Sequence, residues 1–513
     1  MDWVARSHKY TLNDCSNGFS ISFAGMNFTG EQLEALKPRF ERALTEMAKL
    51  EAGAIKNPDE NRKVTHFTDR AEYPASDEFR EVEEFASRIR SEGKFDAVVV
   101  NGIGGSALGP QLMQFAINGP YWNEMSAEKR KNGLKIYFLD NTDSAGFADL
   151  MAVMVPERTL HLVISKSGGT QETRNNMIAM ENFYASRSLK FGDYAVAVTM
   201  RDSQLYKHAV ESGYLKIFNM ADSVGGRTSE TAIVGHLPAA LTGVDFKRFL
   251  DGACTMDRWT RTADPFANPA MMLAAMWYIA GNGKGDRNMV IVPYSDRLVL
   301  LSRYLQQLVM ESLGKELDLD GNVVHQGLNV FGNKGGTDAH AFIQQLNDGR
   351  DDFFATFIEV QKDAMDLPID NNTAMGDYLH GFFEGLCAAL RGKGRQIISI
   401  SIPQITEFEL GQIIALYERT VAVYAEFINI NAFHQPGVQA YKLAAKDALE
   451  LRRTVLDYLK NNPGFAGTAA ELAAAAGMPE AEVEIASLLD RAAVNGKYVV
   501  RQEKAGSWSY SAK

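Results

Sequence analysis

The sequence has few cysteines and no cysteine pattern. Its 513 residues include three, Cys15, Cys254 and Cys387, which are far apart and lack the spacing of metal ligands. This usage excludes a disulfide framework and is typical of a reducing compartment. We therefore predict a cytoplasmic protein without a bound metal.

Long apolar runs and excess positive charge are also missing. No run approaches the roughly 18 residues of a membrane span, and the first 14 residues lack the basic and then apolar pattern of a secretory signal. The net charge of −11 argues against a general binder of nucleic acid or acidic membranes. We expect neither partner, so an anionic substrate would need a local positive site.

Motifs for nucleotides are absent or incomplete. No GxxxxGK[ST] sequence follows the glycine-rich stretches. Gly102, Gly104 and Ala107 satisfy GxGxxA, but the acidic residue expected about 20 positions on is missing, since the nearest candidate, Asp140, is considerably further away. We therefore expect no dinucleotide. Gly105 and Ser106 instead suit a set of hydrogen-bond donors to a phosphosugar.

A second glycine-rich stretch, residues 159–173, is the strongest local signal. An apolar run of strand length leads into a Ser165-Lys166-Ser167-Gly168-Gly169-Thr170 loop, and a helical pattern follows. Glycines, hydroxyls and a helix start together can hold a phosphate. An ordinary strand-to-helix turn in which Ser and Thr serve only as caps remains the alternative.

Strand and helix patterns alternate through most of the chain. Strands are predicted at 97–101, 134–139, 159–165, 194–199, 215–219, 288–292 and 396–402. This alternation predicts an α/β fold of two doubly wound parallel-sheet subdomains. We predict an N-terminal helical segment packing on the core (1–70), a first subdomain with the glycine loops (71–240), a second subdomain (241–451) and a C-terminal extension (452–513).

Further elements follow from periodicity and composition. Helices are predicted at 29–54, 77–93, 269–280, 296–313 and 406–428, whereas 56–70 and 323–338 are predicted to be loops. Beyond residue 452, short helices precede a hairpin predicted to turn at Ala505-Gly506, which resembles a winged helix. Its charges roughly balance, which argues against DNA binding and favours an accessory role.

Three further features could carry chemistry. Arg227 follows Gly225 and Gly226, so a fixed guanidinium there could stabilise an oxyanion or clamp a phosphate, although many such turns are merely solvated. The helix at 296–313 has a polar stripe through Gln307 and Glu311, which is either its solvent face or an amide and a carboxylate aimed into a cleft. His340 and Lys442, taken alone, are more often structural or solvated than catalytic.

Five motifs occur in one order along the chain. They are SKSGGT (165–170), VGGRTSET (224–231), QQLVMESLGK (306–315), GTDAHAFIQQLNDG (336–349) and HQPGVQAYK (434–442). Together they strongly resemble the glucose-6-phosphate isomerase (phosphoglucose isomerase) family over about residues 60–450, with the tail beyond 452 outside the resemblance. The resemblance implies the sugar-isomerase fold, no cofactor, and a homodimer in which the ring-opening histidine reaches the partner's active site.

The resemblance also implies roles for individual residues. Glu311 falls on the catalytic base and Arg227 on the arginine near the enediolate. His340 falls on the ring-opening histidine, and Lys442 on the lysine near the ring oxygen. The remaining family positions fall on the phosphate site (Ser106, Ser165, Lys166, Ser167 and Thr170) and on two active-site glutamines (Gln307 and Gln435).

The implied reaction interconverts glucose 6-phosphate and fructose 6-phosphate through a cis-enediol. The chain departs from the family pattern at Thr228, at Gly168-Gly169 and within the last motif, and none of these changes removes a catalytic group. Two alternatives stay open. One is a related sugar-phosphate isomerase with a different or broader substrate. The other is a phosphosugar-sensing regulator, which would need the hydroxyl-rich loop but not Glu311, His340 or Lys442.

Overall fold

The computed structural model describes residues 2–57, 61–504 and 506–513. Contacts divide the chain into a first unit, Met1–His434, and a second unit, Gln435–Lys513. Within the described residues, no helix is both long and apolar enough to cross a bilayer.

The first unit alternates helices and strands, as the sequence pattern predicts. Its helices are α1 (Trp3–Lys9), α2 (Gly30–Ala35), α3 (Lys37–Glu51), α4 (His66–Glu72), α5 (Asp77–Glu92), α6 (Gly105–Ile117), α7 (Ser144–Val153), α8 (Gln171–Ala185), α9 (Gln204–Ser212), α10 (Ile233–Thr242), α11 (Phe246–Thr260), α12 (Pro269–Ala280), α13 (Leu301–Leu305), α14 (Ile343–Asp348), α15 (Met375–Gly392) and α16 (Glu407–Phe427). Its strands are β1 (Thr11–Asp14), β2 (Phe19–Ser22), β3 (Ile55–Asn57), β4 (Arg62–Lys63), β5 (Ala97–Asn101), β6 (Lys135–Leu139), β7 (Thr159–Ile164), β8 (Ala195–Thr199), β9 (Lys216–Asn219), β10 (Asn288–Pro293), β11 (Lys315–Leu317), β12 (Val323–Gln326), β13 (Val330–Phe331), β14 (Phe353–Val360) and β15 (Gln396–Ile402).

One sheet is parallel throughout, in the order β6–β5–β7–β8–β9. Every residue of β5, β7 and β8 is buried, which explains why these strands read as continuous apolar runs. The strand order reverses at β5, so the loops that follow β5 and β7 meet at a topological switch point. Both glycine-rich loops begin there, which confirms the predicted doubly wound arrangement.

The second sheet is mixed, in the order β1–β2–β15–β14–β10–β13. Strands β10, β13, β14 and β15 are parallel, but β2 pairs antiparallel with β15. The segment 1–70, which we predicted to be helical, thus also contributes a hairpin to this sheet. The signals were Phe19 and Ile21, which are buried and alternate with half-buried serines, and a left-handed turn at Gly18 (φ +79°).

Two predicted loops are wrong in part. Residues 56–70 contain β4 and most of α4, and residues 323–338 contain β12 and β13. Met289 of β10 pairs with Val330 of β13, so an edge of the second sheet orders a short segment that composition alone assigns to a loop. Long-range pairing has overridden local propensity.

Two predicted helices are divided. The segment 29–54 forms α2 and α3, which meet at Leu36 just before Pro38. The segment 296–313 contains a 3₁₀ turn (Asp296–Leu298) capped by Ser295, then α13, and then a π-helical turn, Gln306–Glu311. Gln307 and Glu311 of the polar stripe therefore lie in a π-helical turn and not in a regular α-helix.

The core of the first unit lies around α12, which is apolar, and α16; both helices are buried along nearly their whole length. Within it the Arg70 guanidinium forms ion pairs with Asp257 (2.6 Å) and Glu418 (2.6 Å), and Arg419 also contacts Asp257 (3.2 Å). Buried charges are tolerated only when paired, so this network fixes how α4, α11 and α16 pack.

The second unit contains α17 (Gly437–Asn461), α18 (Ala469–Ala475), α19 (Glu482–Val494), β16 (Ala466–Gly467), β17 (Val499–Lys504) and β18 (Ser507–Ala512). The predicted helices and the predicted hairpin, β17 with β18, are present. Ala505 of the predicted turn lies outside the described residues. Helix α17 runs through residue 452, where we placed the start of the extension.

Candidate active site

An ion pair stands at the centre of the candidate site. Nη1 of Arg227 lies 3.1 Å from Oε1 of Glu311, and the two side chains are 7% and 21% exposed. Oε2 of Glu311 is buried and has no hydrogen-bond partner among the described residues. Glu311 ends the π-helical turn, a type of distortion that is frequent at functional sites. The structure thus provides a desolvated carboxylate against a fixed guanidinium.

Arg227 is held by the backbone of two segments. It lies in the 3₁₀ turn Gly226–Thr228, and its Nη2 donates to the carbonyl oxygens of Ala432 (3.1 Å) and His434 (3.0 Å). Arg62 Nη1 donates to the carbonyl oxygen of Ser223 (3.1 Å), just before the glycines of the same loop. The guanidinium of Arg227 is therefore positioned before any substrate binds.

The loop after β5 lies against this pair. A Cβ atom on Gly105 would overlap the carbonyl oxygen of Gly226, and one on Gly104 (φ +57°) would lie 3.0 Å from Nε2 of Gln307. Glycine is thus required for close approach to the Arg227 loop and to the π-helical turn. This contact places Gly105, Ser106, Gln307 and Arg227 in one region of the first unit.

The loop after β7 is folded by its own hydroxyls. Ser165 Oγ accepts from the Gly168 N–H (3.1 Å), Ser167 Oγ accepts from the Gly169 N–H (3.1 Å), and Ser165 Oγ lies 3.5 Å from Thr170 Oγ1. Thr170 is the N-cap residue of α8, but its side chain makes no capping hydrogen bond. The loop is thus folded by its own hydroxyl groups at the N-terminus of α8, a position where proteins can bind anions.

The side chain of Lys166 is held by contacts with a neighbouring loop. Its Nζ lies 3.1 Å from Oδ1 of Asp222 and donates to the carbonyl oxygen of Val224 (3.3 Å), immediately before Gly225. With side-chain exposure of 30%, the ammonium is still accessible to solvent. Lys166 therefore connects the hydroxyl-rich loop to the loop that carries Arg227.

The remaining predicted residues are His340, Gln435 and Lys442. His340 is the last residue of a 3₁₀ turn, Thr337–His340, and is exposed. Asp338 of that turn is buried, where its carboxylate accepts from the Asn333 N–H (3.0 Å). Gln435 and Lys442 belong to the second unit, and Lys442 is exposed on α17.

Sequence reasoning missed two cations. Arg62 is 8% exposed and Lys315 is 5% exposed, and Lys315 Nζ donates to the carbonyl oxygen of Glu311 (2.8 Å). Arg62 belongs to no recognisable local pattern, and Lys315 ends the motif at 306–315 without having been assigned a role there. What marks both residues is their burial, and burial becomes visible only in the structure.

Within residues 2–57, 61–504 and 506–513, no cluster of three or more His, Cys, Asp and Glu side chains is arranged to hold a metal ion.

Comparisons with known proteins give a consistent family. The model of the phosphoglucose isomerase family matches residues 27–398 and 387–459. A glucose-6-phosphate isomerase from Nostoc punctiforme is 45% identical over 518 aligned residues, which cover 96% of each chain. A glucose-6-phosphate isomerase from Geobacter sulfurreducens is 45% identical over 521 aligned residues, covering 98% of this chain and 96% of its own.

Solved structures agree with the fold. A glucose-6-phosphate isomerase from Chlamydia trachomatis superposes with a TM-score of 0.78 at 27% identity, over 87% of this chain and 91% of its own. A hypothetical protein from Thermus thermophilus superposes with a TM-score of 0.70 at 24% identity, over 82% of this chain and 96% of its own.

The comparisons differ on residues 452–513. The family model ends at residue 459, close to the expected limit of the resemblance at 452. Coverage of 96–98% of this chain means that the alignments with the two bacterial relatives extend into the tail.

Proposed function

The chain belongs to the phosphoglucose isomerase family, and from this premise we propose that it interconverts glucose 6-phosphate and fructose 6-phosphate. The observation that carries the proposal is the contact between Glu311 and Arg227, at 3.1 Å. An aldose–ketose isomerase must move a proton between adjacent carbons and stabilise the oxygen that becomes negative as it moves. A desolvated carboxylate beside a fixed guanidinium suits both tasks.

Glu311 is proposed as the base. It removes the C2 proton and delivers it to C1 through a cis-enediol, and one carboxylate can serve both carbons because they are adjacent. Arg227 stabilises the negative oxygen, and its carbonyl partners Ala432 and His434 support this role because they fix the guanidinium in advance.

The phosphate is proposed to bind where the loops after β5 and β7 meet. Ser106, Ser165, Lys166, Ser167 and Thr170 are the proposed donors. Support comes from their position at the switch point of the parallel sheet and from the Ser165 and Ser167 hydrogen bonds that preform the loop. Because the phosphate is remote from the reacting carbons, its binding energy positions the sugar for proton transfer. Gln307, next to Gly104, is proposed to contact the sugar, as is Gln435.

Ring opening is assigned to His340 together with Lys442. The pyranose must open first, so one group protonates the ring oxygen and another accepts the anomeric hydroxyl proton. We propose that His340 performs its part in the active site of a partner subunit within a homodimer.

Exposed apolar side chains support the dimer. Met365 (67% exposed), Ile369 (53%) and Phe382 (59%) belong to the segment leading into α15 and to α15 itself. Leu379 of α15 lies against the turn that carries His340, since a Cβ on Gly336 would be 3.8 Å from its Cδ1. An exposed apolar surface beside an exposed histidine suits contact with a second copy of the chain.

The cytoplasm is the proposed compartment. Cys15, Cys254 and Cys387 all have free thiols in the described part of the chain, and Cys387 is buried in the core. Free thiols persist most readily in a reducing environment.

The direct test is conversion of fructose 6-phosphate by the purified protein with no cofactor added. A coupled assay that reports glucose 6-phosphate should show turnover. Absence of turnover, with a folded protein, would refute the proposed activity. A panel including mannose 6-phosphate and amino-sugar phosphates would then distinguish a related isomerase. Tight phosphosugar binding without turnover of any of these sugars would favour a regulator.

A further inference from the structure

Lys315 is a buried cation directly behind the proposed base. It is 5% exposed. Its Nζ donates to the backbone oxygens of Glu311 (2.8 Å) and Ser312 (2.7 Å). A lysine so deeply buried is unusual unless its charge is compensated. Here the compensation comes from the backbone that carries the catalytic carboxylate.

The helix end explains why these oxygens need a donor. The Gly314 N–H donates to the carbonyl oxygen of Met310 (2.8 Å), and the chain then leaves the helix into β11. The carbonyls of Glu311 and Ser312 are therefore at a C-terminus, where no following turn supplies N–H groups. A cation satisfies such carbonyls and also interacts favourably with the negative end of the helix dipole.

The charges of Lys315, Glu311 and Arg227 are close enough to affect one another. Burial and, to a lesser degree, the charge of Arg227 lower the pKa of Lys315 to about 7, and the charge of Glu311 opposes this change. On its own side, Glu311 contacts Arg227 through Oε1, and its Oε2 is buried without a hydrogen-bond partner among the described residues. Arg227 thus contacts the carboxylate itself, whereas Lys315 contacts the backbone that carries it.

We propose that Lys315 is a positioning residue for the base: its ammonium, bonded to the backbone oxygens of Glu311 and Ser312, fixes the end of the π-helical turn and holds the Glu311 carboxylate in line with both reacting carbons. This inference rests on the proposed function of Glu311. Proton transfer between adjacent carbons tolerates little displacement of the carboxylate, so a loosened turn lowers the rate of the chemical step. Binding of the phosphate, at the loops after β5 and β7, is unaffected.

The first test is Lys315→Met, which keeps the length of the side chain but removes its charge and donors. We expect kcat to fall roughly 10- to 100-fold, because an indirect contact contributes less than a donor that touches the reacting oxygen, with KM changed by no more than about threefold. Lys284→Met, at an exposed lysine of the same unit, is the matched control and should behave as wild type. A kcat for Lys315→Met within about twofold of wild type would overturn the proposal.

Inhibitors separate positioning from general damage. A sugar-acid phosphate, held chiefly by its phosphate, should bind Lys315→Met as it binds wild type. A hydroxamate that mimics the enediolate should bind it at least about tenfold more weakly, because its affinity depends on Glu311 and Arg227. Equal weakening of both inhibitors would indicate collapse of the whole site and would overturn the specific role.

Chemical rescue tests the need for a cation. Lys315→Ala should regain activity with added ethylamine or propylamine and not with the neutral alcohols of the same size. Rescue by the alcohols as well would show that Lys315 only fills space. If neither the Met nor the Ala variant folds, Lys315→Gln, which keeps a neutral donor, decides: a kcat at least about tenfold lower at unchanged KM supports the proposal, and wild-type kcat overturns it.

These experiments also separate the two proposals. A wild-type protein that does not isomerise fructose 6-phosphate refutes the function, whatever Lys315 does. An active wild type with an equally active Lys315→Met refutes the role of Lys315 and leaves the function intact.

Discussion

The two carboxylate oxygens of Glu311 have different surroundings. Oε1 contacts Arg227 at 3.1 Å, while Oε2 is buried without a hydrogen-bond partner in the described chain. If Glu311 is the base, Glu311→Gln removes proton transfer but preserves shape. We expect kcat to fall by at least about 10²-fold, the lower end for loss of a positioned acid–base group, with KM little changed. Steady-state kinetics with fructose 6-phosphate measure both constants.

The chain offers a matched control for this substitution. Glu316 follows closely in sequence, on β11, and is exposed. Glu316→Gln removes the same charge without touching the ion pair, so its kcat should equal that of wild type. A Glu311→Gln variant whose kcat stays within a few-fold of wild type would mean that another group is the base.

A second buried carboxyl group, that of Glu230, leads to a prediction about how the stability of the protein depends on pH. It follows Arg227 by three residues, and both its oxygens are buried without a hydrogen-bond partner among the described residues. A Cβ on Gly109 would overlap its Oε2, so two chain segments close tightly around it. Burial raises the pKa of Glu230 well above its ordinary value, and the charge of Glu418 raises it further. The folded protein therefore favours the neutral acid.

The sign of the pH effect follows from that raised pKa. The stability contributed by neutral Glu230 is fully present below the unfolded pKa, about 4.3, and is lost as pH rises through the folded pKa. Glu230→Gln imitates the neutral acid and does not ionise. We expect its advantage in unfolding free energy over wild type to grow between pH 5 and pH 8, by at most about 1.4 kcal/mol per pH unit. Urea titrations at equal protein concentration measure it, and parallel pH profiles for the two proteins would contradict it.

Sequence reasoning at this scale found residues whose local pattern points to chemistry and missed residues whose position depends on burial or on long-range contact. Arg227 follows two glycines, and Glu311 lies on a polar stripe, so each was a candidate before the structure was known. Arg62 donates a hydrogen bond to the backbone oxygen of Ser223, which lies 161 positions away in sequence. Lys315 carries out its role because it is buried under a helix end. Long-range contacts and burial depend on the tertiary structure and cannot be inferred from a single sequence.

At the scale of elements, the loop after β7 can be tested through two adjacent glycines. Gly168 has φ +76°, and a Cβ there would overlap the backbone nitrogen of Leu205, whereas a Cβ on Gly169 would be 3.4 Å from Ser167 Oγ. Gly168→Ala therefore forces the loop to shift and misplaces the donors of Ser165 and Ser167. We expect the Ki of a sugar-acid phosphate to rise about tenfold or more, since each lost donor contributes roughly 0.5–1.5 kcal/mol and more to a charged acceptor.

Gly169→Ala is the neighbouring control and should leave this Ki within about threefold of wild type, because an ordinary van der Waals contact costs little. Competition assays against fructose 6-phosphate give both values. Equal inhibition constants for Gly168→Ala and wild type would place the phosphate away from this loop.

Elements were predictable where the signal is continuous. The strands β5, β7 and β8 are buried on both faces, so their apolar runs are unmistakable and their bounds agree with prediction to within about one residue. The π-helical turn Gln306–Glu311 was not predictable, since residues spaced four apart fit an α-helix equally well. Strands β12 and β13 were missed because pairing partners, not composition, order them.

At the scale of the whole molecule, the local charge near the proposed site is opposite in sign to the net charge. The chain carries a net charge of −11, yet Arg62, Lys166, Arg227 and Lys315 all lie near the loops proposed to meet the substrate. If the phosphate of the substrate binds at these loops, local groups attract it and not the field of the whole protein, which is what composition predicts. Association should consequently depend less on ionic strength than in proteins steered by their net charge.

The proposed dimer makes the last prediction. His340 is exposed, and the segment beside it presents apolar side chains to solvent. If His340 acts on the substrate bound by a partner's Glu311, two different inactive chains can complement each other. Glu311→Gln and His340→Ala homodimers should each be nearly inactive.

After joint unfolding and refolding, one site of a mixed dimer would carry both lesions, and the other would combine an intact Glu311 with an intact His340 from the other chain. Mixed dimers should regain up to about half of wild-type activity, as expected for one working site under a single two-fold axis.

Differential tags allow the mixed dimers to be isolated before assay, which excludes exchange with contaminating wild type. Glu316→Gln mixed with His340→Ala is the positive control for refolding, because each mixed dimer there also retains a site in which His340 of the Glu316→Gln chain meets an intact Glu311. If His340 instead serves its own chain, each site of the Glu311→Gln and His340→Ala dimer contains one lesion. Isolated mixed dimers no more active than their parents would therefore assign His340 to its own subunit's site, and the roles proposed for Glu311 and Arg227 would be unaffected because their contact lies within one chain.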